Sequence, residues 1–347
     1  MSASLTTADR EHLRRALELA ELGRGRVSPN PLVGAVIVRD GAVIGEGYHA
    51  ELGDLHAERA ALKDCAERGE DPRGATVYVT LEPCAHTGRQ PPCVEAILEA
   101  GIGRVVIGSE DPSEKASGRG PGMLRDSGVE VELAAGEEAT AARLLNQSFR
   151  KHARTGLPLV TLKLAISLDG QTTTAEGDSP WISGPESREL VHRWRAESDA
   201  IAVGVGTVLA DDPLLTARGS AVHRQPLRVV FDRQGRLPRD SQLLRTRDQS
   251  PVLVVADEVE AVLADLGRRG ITSLLLEGGR TLASAFLSID AIDEVRTFVA
   301  PILLGANVPR AGGGSPTATG PARRVALSRE VERIGDDVLI TARFKEW

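Results

Sequence analysis

The sequence predicts two α/β domains in tandem, and three observations carry that reading. The chain has 347 residues, long for one hydrophobic core. Segments of helical and strand periodicity alternate along nearly all of it, as they do when helices pack on a central sheet. The stretch Arg154-Thr155-Gly156-Leu157-Pro158 interrupts this alternation with Gly and Pro, and the alternation then restarts. The domains are therefore placed at 1–153 and 157–347.

In the first half, Thr7 is placed as the cap of an opening helix, with Asp9 and Glu11 in its first turn. Leu13, Ala16, Leu17 and Ala20 recur at helical spacing, and Gly23 ends the run. Strands Val33–Val38 and Ala42–Tyr48 flank Asp40-Gly41, a strong hairpin signal. Then come a helix His56–Arg68, a strand Ala75–Leu81, a helix Cys93–Ala100, a strand Arg104–Gly108, a helix Gly120–Asp126, a strand Val129–Leu133 and a helix Glu137–Arg150. In the second half the strands are Leu159–Ile166, Ala200–Val205, Leu227–Phe231, Val252–Ala256, Ser273–Leu276, Asp293–Ala300 and Val338–Phe344. The helices are Pro185–Glu197, Glu258–Arg269 and Arg280–Leu287. Residues Ala311–Pro321, rich in Gly, Pro, Ser and Thr, read as a mobile loop.

Composition narrows the class. Apolar residues make up 41% and charged residues 26%, ordinary for a soluble protein. A net charge of -7 argues against a nucleic-acid partner, while leaving room for a local basic pocket. No apolar run approaches membrane-spanning length, and Asp9, Arg10 and Glu11 interrupt any signal-peptide pattern. The expected compartment is the cytoplasm, where the three cysteines, Cys65, Cys84 and Cys93, are metal ligands or packing residues rather than bridges. Cys65 falls inside the predicted helix after His56 and reads as core.

The most informative residues are His56-Ala57-Glu58, Pro83-Cys84 and Pro92-Cys93. Singly, each is an ordinary packing or surface residue. Together they supply one imidazole and two thiolates to Zn2+ and leave the fourth tetrahedral position for water, as a hydrolytic site requires. Zinc brings that water's pKa toward neutrality. Glu58, two residues from His56, can then carry a proton from the water to the ring and the leaving amine. Both cysteines are expected at helix starts, where a thiolate is stabilised. A structural zinc would need a fourth protein ligand, for which His86 is the candidate.

Nucleobase zinc deaminases use this ligand set in H-x-E and P-C-x-x-C patterns. Here eight residues, not two, separate Cys84 from Cys93. The whole segment Thr80-Leu81-Glu82-Pro83-Cys84-Ala85-His86-Thr87-Gly88-Arg89-Gln90-Pro91-Pro92-Cys93 resembles the zinc segment of the bifunctional riboflavin-biosynthesis deaminase/reductases, which carry that insert. Pro29-Asn30-Pro31-Leu32-Val33-Gly34 and Gly45-Glu46-Gly47-Tyr48-His49 match the same family. So do Lys163–Gly170, Trp181-Ile182-Ser183, Val208–Pro213 and Leu276-Glu277-Gly278-Gly279.

The resemblance implies a cytidine-deaminase-like α/β/α sandwich followed by an α/β domain similar to dihydrofolate reductase. It implies Zn2+ and NADPH as cofactors and a pyrimidine ribotide as substrate, deaminated first and then reduced from ribosyl to ribityl. It also implies a homo-oligomer. By match, His56, Cys84 and Cys93 are the metal ligands, Glu58 the proton shuttle and Asn30 a pyrimidine contact. Ala165, Trp181, Thr207, Asp211 and the turn Gly279, Arg280, Thr281, Leu282, Ala283, Ser284 and Ala285 are implied cofactor contacts. Ser179, Arg195, Leu215, Arg218 and Glu277 are implied substrate contacts.

Some of the second half is readable from its own residues. A strand ending in Gly278-Gly279 before a helix can point backbone N–H groups at a phosphate, although such a turn is common without one. No G-x-G-x-x-G follows a strand, which disfavours a Rossmann fold. Arg195 and Arg218 are candidates for the substrate phosphate. Trp181 is either a stacking residue or core. Asp211-Asp212 reads as a helix end and turn. As proton donor in the reduction, Lys163, Asp169 and a water stay open. Two positions depart from the family: Arg59 after Glu58, and Arg233 after Phe231-Asp232. Other readings are an enzyme that keeps one activity, and a zinc-stabilised nucleotide- or RNA-binding protein.

Overall fold

A computed structural model describes residues 5–87, 90–113, 117–172, 181–219, 222–305 and 324–347. Ser179 and the stretch 311–321 lie outside the described residues. The chain divides into two compact units, Met1–Thr155 with Trp347, and Gly156–Glu346.

The first unit opens with α1 (Thr7–Glu21). Its cap is Thr6, not Thr7. The Thr6 hydroxyl accepts from the Asp9 amide at 3.1 Å and the Asp9 carboxylate accepts from the Thr6 amide at 2.9 Å. That reciprocal box needs the acid three residues past the cap, which only Thr6 satisfies. Strands β1 (Gly34–Arg39) and β2 (Ala42–Tyr48) form the expected hairpin, with Asp40 and Gly41 both at positive φ, as its two-residue turn demands. Helix α2 (Ala57–Glu67), β3 (Thr76–Val79), α3 (Cys93–Glu99), β4 (Arg104–Ile107), α4 (Arg119–Asp126) and β5 (Glu130–Leu133) follow.

The sheet order is β2-β1-β3-β4-β5, with β1 antiparallel to β2 and β3 and the rest parallel. Ala16 and Leu19 of α1 cover one face; Ala57, Ala61, Val94, Ile97 and Leu124 of α2, α3 and α4 cover the other. Cys65 is fully buried on that second face. Glycine lets α2 approach unusually closely: a Cβ on Gly47 would lie 2.3 Å from the Ala61 amide nitrogen. The predicted helix 137–150 is two helices, α5 (Glu137–Leu145) and α6 (Gln147–Thr155). The break is Asn146, whose buried carboxamide accepts from the Leu32 N–H and donates to the Leu32 carbonyl, both at 2.8 Å.

The second unit contains β6 (Leu159–Ser167), α7 (Pro185–Glu197), β7 (Ala200–Gly204), α8 (Val205–Asp211), β8 (Leu227–Phe231), α9 (Gln242–Arg245), β9 (Val252–Val255), α10 (Val259–Arg268), β10 (Ser273–Leu276), α11 (Arg280–Ser288), β11 (Glu294–Ala300), β12 (Ser328–Ile334) and β13 (Asp337–Arg343). The eight strands run β12-β13-β11-β6-β10-β7-β8-β9. From β11 to β9 neighbours are parallel; β13 and β12 close one end antiparallel. One core lies under α10 and α11, the other under α7, α8 and α9. Among the described residues, no helix is long and apolar enough to cross a membrane.

Candidate active sites

The metal-type group assembles from three elements. His56 sits at the N-cap of α2 with extended backbone and makes no capping bond, so its ring is free to project from the helix start. Cys93 is the first residue of α3. Cys84 lies in the loop after β3, where no helix begins, contrary to the sequence expectation. The start of α3 serves it nonetheless: the Cys93 amide donates to Cys84 Sγ at 3.3 Å. His56 Nδ1 stands 3.3 Å from Cys93 Sγ and 3.6 Å from Cys84 Sγ. The three ligand atoms all lie within 4.8 Å of one another. Bonds of about 2.0–2.3 Å to one ion are compatible with these separations. His86 lines the same cavity but is not one of the three.

Contacts with Cys93 and then His56 hold the Cys84 thiol well below its ordinary pKa, which favours its thiolate form. Glu58, in the first turn of α2, is 4% exposed. Burial, and then the nearby Cys84 sulfur, push its carboxyl above the ordinary value. A carboxyl tuned in this direction can both accept and return a proton near neutrality.

His56, Glu58 and Cys84 open on a cavity of about 360 Å³, lined also by Asn30, His49, Glu82, Gln90 and Phe149, with Cys93 fully buried behind them. Asn30 Nδ2 donates to His49 Nε2 at 3.1 Å, and His49 Nδ1 donates to the Leu55 carbonyl at 3.0 Å. Gln90, from the insert between the cysteines, accepts from the His56 amide and donates to the Gly53 and Asp54 carbonyls. Arg59 does not turn to solvent; it is half-buried and donates to the Pro92 carbonyl at 3.1 Å, beside Cys93. Sequence reasoning missed His49 as a site residue, although it lay in a matched motif. It also missed Phe149, which carries no signal beyond being apolar in a helix.

In the second unit, polar groups gather at the end of β10. Glu277 accepts from Arg195 Nε at 2.6 Å and Nη2 at 2.8 Å. Arg195 Nη1 also donates to the Thr216 carbonyl at 3.4 Å, so the guanidinium bridges Glu277 and the 216 peptide. Arg218, the second cation expected near the substrate, is exposed. Lys163 on β6 is half-buried beside this pair, and desolvation pushes its ammonium below the ordinary pKa. Asp169 instead accepts from Ser167 Oγ and from the Leu304 and Gly305 amides, a loop-holding role. Leu215 is buried with φ of 52°.

Gly279 caps α11, and the Thr207 hydroxyl faces it from α8, 3.9 Å from where a Cβ on Gly279 would stand. Arg280, Thr281 and Ser284 are exposed and Ala285 half-buried, whereas Leu282 and Ala283 turn into the core. Ala165 is half-buried on β6. Asp211 ends α8, and Asp212 caps it in the left-handed region. Trp181 is 60% exposed, so it is not core; the Arg188 guanidinium lies 5.1 Å over its ring. Arg233 is exposed and paired with Glu258.

Two family models match in the expected order. Residues 6–109 match the cytidine and deoxycytidylate deaminase zinc-binding region, and residues 158–340 the RibD C-terminal domain. The chain is 40% identical over 332 residues to the riboflavin biosynthesis protein RibD of Escherichia coli, covering 86% of this chain and 89% of that one. It is 42% identical over 335 residues to RibD of Mycobacterium tuberculosis, covering 95% and 96%.

The chain belongs to the RibD family.

Solved RibD structures agree. Form 1 of Acinetobacter baumannii RibD superposes with a TM-score of 0.87 at 37% identity, covering 98% of this chain and 99% of that one. A diaminohydroxyphosphoribosylaminopyrimidine deaminase/5-amino-6-(5-phosphoribosylamino)uracil reductase of Thermotoga maritima gives 0.87 at 37%, covering 97% and 99%. Both expected folds therefore stand: a cytidine-deaminase-like first half and a RibD reductase second half. This RibD-family chain is an enzyme of riboflavin biosynthesis, with zinc serving the deaminase half and NADPH the reductase half.

Proposed function

We propose that His56, Cys84 and Cys93 hold the zinc, that Glu58 moves the protons, and that the substrate is 2,5-diamino-6-(5-phosphoribosylamino)pyrimidin-4-one. The observation that carries the reading is the convergence of one imidazole and two sulfurs within 4.8 Å, with His56, Cys84 and the buried Glu58 carboxyl lining one cavity. Bound there, zinc supplies Lewis acidity that makes water a nucleophile at neutral pH. Glu58 takes the proton of the attacking water, gives it to the ring nitrogen, and carries the next to the departing amine. Asn30, held by His49, contacts the pyrimidine. The product is 5-amino-6-(5-phosphoribosylamino)uracil and ammonia.

Bound in the second unit, NADPH would supply a hydride to the anomeric carbon of the ring-opened ribosyl imine and leave as NADP+, with a proton from a side chain or water completing the ribityl chain. Gly279 and the exposed start of α11, with Thr207, face the cofactor phosphates. Ala165, Trp181 and Asp211 complete the cofactor side. Glu277, fixed by Arg195, and neighbouring Lys163 hold the substrate, with Arg218 toward its phosphate and Leu215 beside it; Ser179, outside the described residues, is a further substrate contact by family match. The enzyme works in the cytoplasm as a homo-oligomer and takes no nucleic acid; its net charge of -7 supports the last point. The test is chelation. Metal-stripped protein releases no ammonia, recovers on adding zinc, and reduces the deaminated ribotide at an undiminished rate throughout. Ammonia release that survives stripping overturns the proposed roles of the three ligands.

A further inference from the structure

Leu215 adopts a left-handed backbone, φ 52°, with its side chain 3% exposed. A side chain with a Cβ rarely holds that conformation unless its surroundings over-determine it. Here the carbonyls of the residues on either side of it, and both backbone groups of Ala217, are held by side chains. The Leu214 carbonyl accepts from Arg228 Nη1 at 2.9 Å. The Thr216 carbonyl accepts from His192 Nδ1 at 3.2 Å and Arg195 Nη1 at 3.4 Å. Gln225 grips Ala217 twice, accepting from its N–H at 2.9 Å and donating to its carbonyl at 3.0 Å.

Arg228 is the unusual member. It is fully buried in β8 and has no carboxylate partner among the described residues. Beyond Leu214 it donates to Thr246 Oγ1 at 2.8 Å and to the carbonyls of Leu243, Thr246 and Ser250. An uncompensated guanidinium in a core is costly, and an apolar residue would pack there more cheaply. What the cation provides is a rigid fork reaching two segments at once: the Leu214 turn on one side and the 243–250 segment on the other. The turn so held leans on the Arg195–Glu277 pair and runs directly into exposed Arg218.

We propose that Arg228 and Gln225 are positioning residues for reduction: by fixing the Leu214–Ala217 turn they set the affinity of the reductase site for the ribotide, without touching substrate or cofactor themselves. This rests on the functional reading above, in which that turn borders the substrate.

The experiment compares wild type, Arg228→Lys and Gln225→Met in the full chain. NADPH binding, followed by its fluorescence, reports whether the second unit is folded. The kcat and KM for the deaminated ribotide report the turn. A lysine reaches fewer of the five acceptors, so the ribotide KM should rise about tenfold in Arg228→Lys and a few-fold in Gln225→Met, with kcat and NADPH affinity within about twofold of wild type. A role confined to stability would lower the melting temperature and leave KM where it was. Unchanged KM in both variants overturns the proposal, and so does a parallel loss of NADPH and ribotide affinity in Gln225→Met. If Arg228→Lys does not fold, Gln225→Met decides alone. A wild-type chain that binds NADPH but reduces no ribotide overturns the functional reading, and this proposal with it.

Discussion

Arg195 and Glu277 meet in a two-pronged ion pair, Nε to Oε1 at 2.6 Å and Nη2 to Oε2 at 2.8 Å, with side chains 14% and 8% exposed. Removing one partner from such a pair strands the other charge, at a cost of about 3 kcal/mol. Glu277→Gln should therefore lower the melting temperature of the second unit and cut ribotide reduction at least about a hundredfold. Ammonia release, measured on the same sample, should hold. Equal loss of both activities would mean that the pair supports the whole chain rather than one site.

The same pair sets a pH dependence. Burial pushes the Glu277 carboxyl up, but the facing Arg195 charge outweighs it, and the net value lies below the ordinary 4.5. A depressed carboxylate stabilises the fold fully above its unfolded value and loses that contribution as pH falls through the folded value. The stability difference between wild type and Glu277→Gln should be constant above about pH 5 and shrink below pH 4.5. Denaturant titrations across pH 3–7 measure it; a gap that widens toward acid contradicts the assignment.

Gly47 can be tested by size. A Cβ there would stand 2.3 Å from the Ala61 nitrogen, backbone that cannot swing aside. Gly47→Ala should push α2 away from β2, costing about 1–3 kcal/mol and displacing His56 and Glu58 together. Weaker zinc retention against a chelator, alongside slower ammonia release, is the expected pair of results. Normal zinc retention would show that α2 yields without moving its first turn.

Asn146 should matter to deamination from outside the cavity. Its carboxamide makes both hydrogen bonds to Leu32, two residues from Asn30. Asn146→Leu leaves a buried N–H and C=O unmet, at about 1–3 kcal/mol, and frees the Asn30 loop. The KM for ammonia release should rise several-fold while reduction of the supplied intermediate is unaffected. An unchanged KM would limit Asn146 to stability.

The sequence made some of this legible and hid the rest for physical reasons. The hairpin at Asp40-Gly41 and the grouping of His56, Cys84 and Cys93 were readable because their chemistry is local: a turn that needs positive φ, and residue types that can bind metal. Asn146 was not, because only its distant partner Leu32 gives a polar residue reason to break a helix. Strand β12, Ser-Arg-Glu-Val-Glu-Arg-Ile, is exposed along most of its length and has no apolar alternation to detect. Helix α8 is seven residues with a glycine inside. The ion pair of Arg195 was hidden too, because its carboxylate partner Glu277 lies 82 residues away in sequence.

The central claim is that one chain performs deamination at the His56–Cys84–Cys93 group and reduction in the second unit. The most direct measurement mixes purified protein with the diaminopyrimidine ribotide and NADPH and follows ammonia release and NADPH oxidation together. Wild type should give both signals. Glu58→Ala should give neither with that substrate, yet oxidise NADPH at the wild-type rate once the deaminated ribotide is supplied. Ammonia release that persists in Glu58→Ala, or zinc-loaded, folded wild type that produces neither signal, would contradict the account.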